Sequence, residues 1–234
     1  MASVLIIAPH PDDAEFTMGG TIALLAQQGH RVTILDLTDG EPTPHGSVQI
    51  RARETLQATA ALSPADNPVA RINLGLRNRQ ITHDLASRYS VAGVIRRVRA
   101  TMLFVPYFED AHPDHLAATR ICEDARFDAK LSKLSMPGDE GQPPIHPTRL
   151  IYYFATHLKI VPQPSFIMDI TPTIEARRAA IGAYQSQLGP HTANAGLEAR
   201  LDIEAAYFGS RIEAAFGEPF FVREPLGLAG LTFV

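Results

Sequence analysis

Val4-Leu5-Ile6-Ile7-Ala8-Pro9-His10-Pro11-Asp12-Asp13-Ala14-Glu15 takes the chain from an unbroken apolar run straight into a loop of prolines, acids and a histidine. A short apolar run rich in β-branched residues and ended by proline predicts a strand buried on both faces. Gly19-Gly20 follow closely, then Thr21–Gln28, whose Ile22, Ala23, Leu25 and Ala26 predict a helix that Gly29 stops. Arg31–Leu37 predicts a second buried strand, so the first forty residues read as a βαβ unit.

The alternation continues outward from this unit. A helix is expected over Val48–Leu62, a strand over Arg71–Leu74, a helix over Leu85–Ala100, a strand over Met102–Pro106 and a helix from Asp114 to about Phe127. Strands and helices in strict turn imply a mostly parallel sheet with helices on both faces, an α/β fold. Met136–Pro147, with its glycines and prolines, reads as an exposed loop. Later strands are expected at Leu150–Ala155 and Phe166–Ile170, and helices at Thr173–Gln187 and Leu197–Phe216. Glu218–Pro225, with paired phenylalanines between charges, reads as an edge strand carrying an exposed apolar patch suited to a subunit interface. No shift of composition marks a linker, and 234 residues with 45% hydrophobic content suit one domain, 1–234.

A second polar cluster, His112-Pro113-Asp114-His115, follows the strand-like run that ends at Pro106. In open parallel sheets, ligands bind beyond the carboxyl ends of the strands where strand order reverses, so loops after the first and fourth strands converge there. Either cluster alone is ordinary turn chemistry, since proline fixes φ and aspartate caps helices. Two of them, each behind a strand and each rich in imidazole and carboxylate, point to one metal site. His10 and Asp13, or His112 and His115, supply a pair, a residue of the other loop the third ligand, and water the fourth. Asp12 is a candidate base for that water, and one of the later histidines can act on the oxyanion or the leaving group. Asp114 is expected to orient an imidazole.

Composition narrows the alternatives. The formal charge of -4, with Lys and Arg scattered, gives no basic footprint for nucleic acid, and a small polar substrate fits better. Cys122 is the single cysteine, which excludes an internal disulfide and a multi-cysteine zinc site; it reads as a small buried group on a helix. The first apolar run is too short for a signal peptide or a membrane span, so a cytoplasmic protein is expected. Gly19-Gly20 lack the spacing of a dinucleotide-binding loop. Tyr184 and Tyr207 are expected in the core, and His157 among surface or loop histidines.

At these motifs the chain resembles the PIG-L, or LmbE-like, family of zinc-dependent N-deacetylases, whose signatures are a His-Pro-Asp-Asp loop and a His-Pro-Asp-His loop. Met18–Thr21, Asp36–Glu41, Ile50–Glu54, Leu74–Arg77, Ala183–Gln187 and Gly217-Glu218 extend the likeness toward the branch that includes N-acetylglucosaminyl-malate deacetylase. The resemblance implies a Rossmann-like fold and deacetylation of an N-acetylglucosamine-type substrate. It implies one Zn2+ on His10, Asp13 and His115, Asp12 as base, and His112 as the oxyanion-stabilising or acid group, oriented by Asp114. It also implies Arg51 and Asn78 as substrate-binding positions, and a homo-oligomer, in this branch often a hexamer. Ala111 stands where close relatives often carry arginine, and Asn78 where many carry aspartate, so the chemistry transfers better than the aglycone.

Overall fold

The computed structural model describes residues 1–158 and 160–227. Strands β1 (Ser3–Ala8), β2 (Arg31–Thr38), β3 (Ala70–Leu76), β4 (Met102–Pro106), β5 (Arg149–Tyr153), β6 (Phe166–Asp169) and β7 (Gly217–Phe221) form one sheet in the order β3-β2-β1-β4-β5-β7-β6. The first five are parallel, and β7 runs antiparallel between β5 and β6. β1 is the middle one of the five parallel strands, its six residues all buried, with Val4 opposite both Met102 of β4 and Val32 of β2. Strand order reverses between β1 and β4, so the loops after Ala8 and Pro106 emerge side by side.

The pleat of β1 divides the core. Val4, Ile6 and Ala8 face a layer built with residues of α1 (Asp13–Gln27), α2 (Val48–Ala61), α5 (Ile174–Gly182) and α7 (Leu197–Ser210), whereas Leu5 and Ile7 face α3 (Leu85–Arg97) and α4 (Pro113–Asp128). Ser47 and Asp84 cap α2 and α3 through bonds to the N–H groups of Ile50 and Ser87. Pro113 takes the first turn of α4, where a missing N–H costs nothing. Cys122 is buried on α4, and burial pushes its thiol up, far from the thiolate form.

Several boundaries differ from expectation for local reasons. The first helix begins at Asp13, and its backbone breaks at Met18 (φ -144°) before resuming at the two glycines. The buried Glu218 carboxylate accepts the N–H groups of Gly20 (3.0 Å) and Thr21 (2.7 Å), capping the resumed helix from a distant strand. A Cβ on Gly20 would stand 2.7 Å from Ile170 Cβ, so this approach requires glycine. The helix expected over Thr173–Gln187 is two pieces, α5 and a short α6 (Gln185–Leu188), divided where Tyr184 leaves helical geometry to bury its ring and bond Glu15 through its hydroxyl. The last helix ends at Ser210, because the chain folds back until Phe216 packs against Gly209.

The 217–221 segment is no edge. β6 pairs with its outer side, Phe220 is fully buried, and the sheet's edges are β3 and β6, which removes the expected exposed aromatic patch. Tyr207 likewise lies outside the core, 55% exposed. The 136–147 loop is tethered: Arg96, itself buried, donates to the carbonyls of Ala129, Leu131 and Leu134 and to Asp139, and Met136 is buried beneath it. Among the described residues no helix is long and apolar enough to cross a membrane.

Candidate metal centre

Both polar clusters arrive at the switch point. Pro9 ends β1, the chain turns at His10, and Asp12 begins α1 with φ 118°, a left-handed conformation that costs a non-glycine residue free energy and concentrates at functional sites. Its side chain does not cap the helix. It accepts instead from Arg51 Nη1 at 2.9 Å, while the same nitrogen donates to the Pro11 carbonyl at 2.7 Å. The second cluster starts α4, with His112 as the capping residue.

His10, Asp13 and His115 present ligand-type atoms within 4.8 Å of one another. Asp13 Oδ2 lies 3.1 Å from His10 Nδ1 and 3.4 Å from His115 Nε2. Among the described residues that buried nitrogen makes no hydrogen bond, which leaves it free to ligate an ion. The remaining nitrogen of each imidazole faces its own carboxylate: His10 Nε2 meets Asp114 Oδ2 at 3.1 Å, and His115 Nδ1 meets Asp110 Oδ2 at 3.0 Å. Carboxylates so placed fix the tautomer and the ring plane of a metal-ligating histidine. The residues therefore fit a divalent ion of the kind that accepts nitrogen and carboxylate oxygen.

A second set, His10, His112 and Asp114, also falls within 4.8 Å, but its atoms are engaged otherwise. Asp114 accepts the N–H groups of Arg79 (2.7 Å) and Ile81 (3.4 Å) besides meeting His10, and His112 Nδ1 accepts the Asp114 N–H at 3.2 Å. The Asp114 carboxylate thus faces the His10 imidazole and the 79–81 backbone, and its N–H reaches His112. Because Nδ1 of His112 is an acceptor, the ring proton resides on Nε2.

Burial and neighbouring charge set the ionisation of these groups. Burial opposes the charged form of His10, but bonds to Asp114 and Asp13 outweigh it and lift the imidazole to about 9. His115 rises to about 10 against burial, through Asp13 and Asp110. Asp13 is held well below the usual carboxylate range despite burial, by His115 and His10. Asp12 goes the other way: burial raises it to about 7 against the pull of Arg51. Burial, then repulsion from His10 and His115, depresses His112 to about 4, so it is neutral at physiological pH.

These residues open onto a cavity of about 620 Å³ whose walls include Thr43, Asn78, Arg79, His157, Gln187, Asn194 and Arg200. Asn78 lies in this wall and donates to the Gly40 carbonyl at 2.8 Å. Arg51 also lines the cavity, but its buried guanidinium is tied to Asp12 and Pro11 and lies 3.8 Å from Glu41, so it braces the loop rather than standing open to a carboxylate. Behind the loop, Arg71 bonds Glu15 and grips Asp36 through two nitrogens at 2.7 and 2.8 Å. Two further positions beside the ligand-type residues were not singled out from the sequence. Asp110 lies five residues before His115 in a loop already recognised as polar. His157, with its ring 5.3 Å from His112 and 5.6 Å from His115, follows β5 by the same strand-then-loop rule that picked out the two clusters.

Fold and site together define an α/β protein of the Rossmann-like class with a His-Asp-His group able to hold a metal ion at the switch point of its sheet. The chain belongs to the PIG-L family, since the family model described as GlcNAc-PI de-N-acetylase matches residues 5–126. Diacetylchitobiose deacetylase of Thermococcus kodakarensis is 27% identical over 197 residues, covering 79% of this chain and 69% of that one. A probable N-acetyl-alpha-D-glucosaminyl L-malate deacetylase 2 of Bacillus cereus is 26% identical, with coverage of 79% and 83%. The crystal structure of the conserved protein TT1542 from Thermus thermophilus superposes with a TM-score of 0.88 at 31% identity, covering 99% of each chain. The likeness is not confined to deacetylases: 4-oxalmesaconate hydratase of Pseudomonas putida is 26% identical over 79% of this chain and 74% of its own.

Proposed function

We propose that the protein is a cytoplasmic N-deacetylase that uses one zinc ion per subunit, held by His10, Asp13 and His115. It hydrolyses the acetamide of an N-acetylglucosamine-type substrate, N-acetylglucosaminyl-malate among the candidates, to a free amine and acetate. The observation that carries this reading is the company the three ligand-type residues keep. Asp12, raised to about 7, adjoins Asp13, and the neutral ring of His112 lies 4.8 Å from His10 and 4.9 Å from His115.

A bound divalent ion supplies acidified water and polarises the acetyl carbonyl. Asp12, poised near neutrality, takes the water's proton, and Arg51 keeps its carboxylate in place. His112 offers Nε2–H to the oxygen on which negative charge develops. As the C–N bond breaks, the proton gathered by Asp12 passes to the leaving nitrogen, so the elements of water are divided between acetate and amine. Asn78, in the cavity wall, is a substrate contact in this reading. Self-association is also proposed, a hexamer being the form the resemblance suggests; Val161, Ile203 and Tyr207, exposed by 78%, 69% and 55%, offer apolar surface for it.

Metal analysis of the purified protein, followed by acetate release across a panel of N-acetylglucosamine conjugates, tests the assignment. Asp12→Asn is expected to keep its metal and lose turnover by about 100-fold or more. Inactivity of the native protein on the whole panel at stoichiometric zinc overturns the reading. Hydration of 4-oxalmesaconate without acetate release would favour the chemistry of the hydratase relative instead.

A further inference from the structure

Two arginines in the cavity wall have no side-chain partner among the described residues. Arg79 comes from the turn between β3 and α3, and Arg200 from α7. Among the described residues, neither guanidinium makes a hydrogen bond or an ion pair, and both side chains are exposed. The third arginine of the wall, Arg51, is held by Asp12 and the Pro11 carbonyl. The carboxylates of this wall are Asp12 and Asp13, and neither pairs with Arg79 or Arg200; Glu204, which lines an adjoining cavity with Arg200, makes no ion pair with it.

The backbone of Arg79 carries the point further. Its φ is 62°, a left-handed conformation that glycine adopts freely and arginine does not. The turn is held there from both sides: Asp114, almost wholly buried, accepts the Arg79 N–H at 2.7 Å, and the preceding Asn78 donates to the Gly40 carbonyl at 2.8 Å. A strained turn, pinned to the carboxylate that also meets a metal ligand, roots an unpaired cation in the cavity wall. Strain maintained in this way is a mark of function.

We infer that Arg79 and Arg200 form an anion subsite that reads a carboxylate or phosphate on the part of the substrate remote from the acetamide. The inference rests on the deacetylase reading for the identity of the acetamide, and Arg79 and Arg200 take no part in bond breaking. They determine specificity through binding.

The test uses the zinc-loaded native protein and three matched N-acetylglucosaminides, with methyl, carboxymethyl or phosphoethyl aglycones. The charged glycosides are expected to exceed the methyl glycoside in kcat/KM by about tenfold at low salt, through KM, the gain expected of one charge-assisted contact. The advantage shrinks as salt rises. Arg79→Gln and Arg200→Gln each reduce the charged-to-neutral ratio, and the double variant brings it near one. Arg79→Gly, which relieves the backbone, loses the preference as Arg79→Gln does, whereas Arg79→Lys keeps part of it. That pattern separates charge from the shape of the turn. The carboxymethyl and phosphoethyl arms decide which anion is preferred.

A native ratio near one, or a ratio unchanged in the double variant, overturns the subsite while leaving deacetylation intact. If none of the three releases acetate, the deacetylase reading fails by itself, and calorimetric titration of the same glycosides decides the subsite. Charge-dependent binding that disappears in the double variant supports it, and equal binding of all three overturns it.

Discussion

Asp110→Asn isolates the support given to one proposed metal ligand, His115. The Asp110 side chain is fully buried, its Oδ2 meets His115 Nδ1 at 3.0 Å, and its Oδ1 accepts the His112 N–H at 2.7 Å. Asparagine has nearly the same shape and can keep one of these bonds through its carbonyl oxygen, but it carries no charge. Removing the charge from a bond of this kind costs about 1.5–3 kcal/mol. If the amide nitrogen turns toward His115, two donors face each other and the imidazole loses the tautomer that leaves Nε2 free to ligate. The expected result is a fall in zinc affinity of about 10–100-fold, read by competition with a chromophoric chelator, with an unchanged far-ultraviolet circular dichroism spectrum. Turnover at saturating zinc should recover in part, because the defect lies in holding the ion. An affinity within about twofold of the native value, a difference of only ~0.4 kcal/mol, would refute the reasoning and leave Asp110 a brace for the His112 backbone.

Three further outcomes concern the frame around the site. Glu218→Gln should cost about 1.5–3 kcal/mol in denaturant unfolding, because Arg177 Nε lies 3.1 Å from that buried carboxylate and is left, among the described residues, with only Asp202, 3.6 Å from its Nη1, as counter-charge; a cost below about 0.5 kcal/mol, the level of an ordinary surface change, would contradict the capping role given to Glu218. Gly93→Ala drives a Cβ into the Pro137 carbonyl, and a loss of about 1–3 kcal/mol is expected, with faster hydrogen exchange in the 129–139 segment tethered by Arg96. Stripping the metal with a chelator should lower the melting temperature, and zinc restored at one hundred times its Kd should return about 2.7 kcal/mol; a melting temperature indifferent to zinc would argue against the His10, Asp13 and His115 centre.

What could be read in the sequence follows from how local its causes are. β1 and β4 announce themselves because strands buried on both faces must be apolar throughout, and the loops behind them concentrate ligand-type residues, so the meeting of His10, Asp13, His112 and His115 follows from strand order alone. The position of β7 was not legible. Phe220 and Phe221 suit an edge or an interior strand equally, and only the pairing with β6, fifty residues earlier, decides between them. The break at Tyr184 was hidden for a similar reason, since its cause is the buried Glu15 on another helix. Asp110 and His157 were missed because each is a lone side chain without a repeating motif, and their value appears only when the loops after β4 and β5 are brought within reach of His115.

The two carboxylates behind the ligand imidazoles are not equivalent, and the difference bears on how the site is assembled. Among the described residues the Asp110 side chain bonds His115 and the His112 backbone, both within the second cluster. Asp114 meets His10 on one side and holds the Arg79 and Ile81 amides on the other, so the same buried group fixes a metal ligand and the turn that presents Arg79. A metal-bound imidazole is a stronger hydrogen-bond donor through its other nitrogen, and tighter engagement of Asp114 by His10 tightens the anchor of that turn. With the proposed ion on His10 and the proposed subsite on Arg79, metal loading and the recognition of the remote part of the substrate are expected to be coupled through this one side chain. Linkage requires the coupling to run both ways: a ligand that orders the 77–81 turn must also strengthen the hold on the ion.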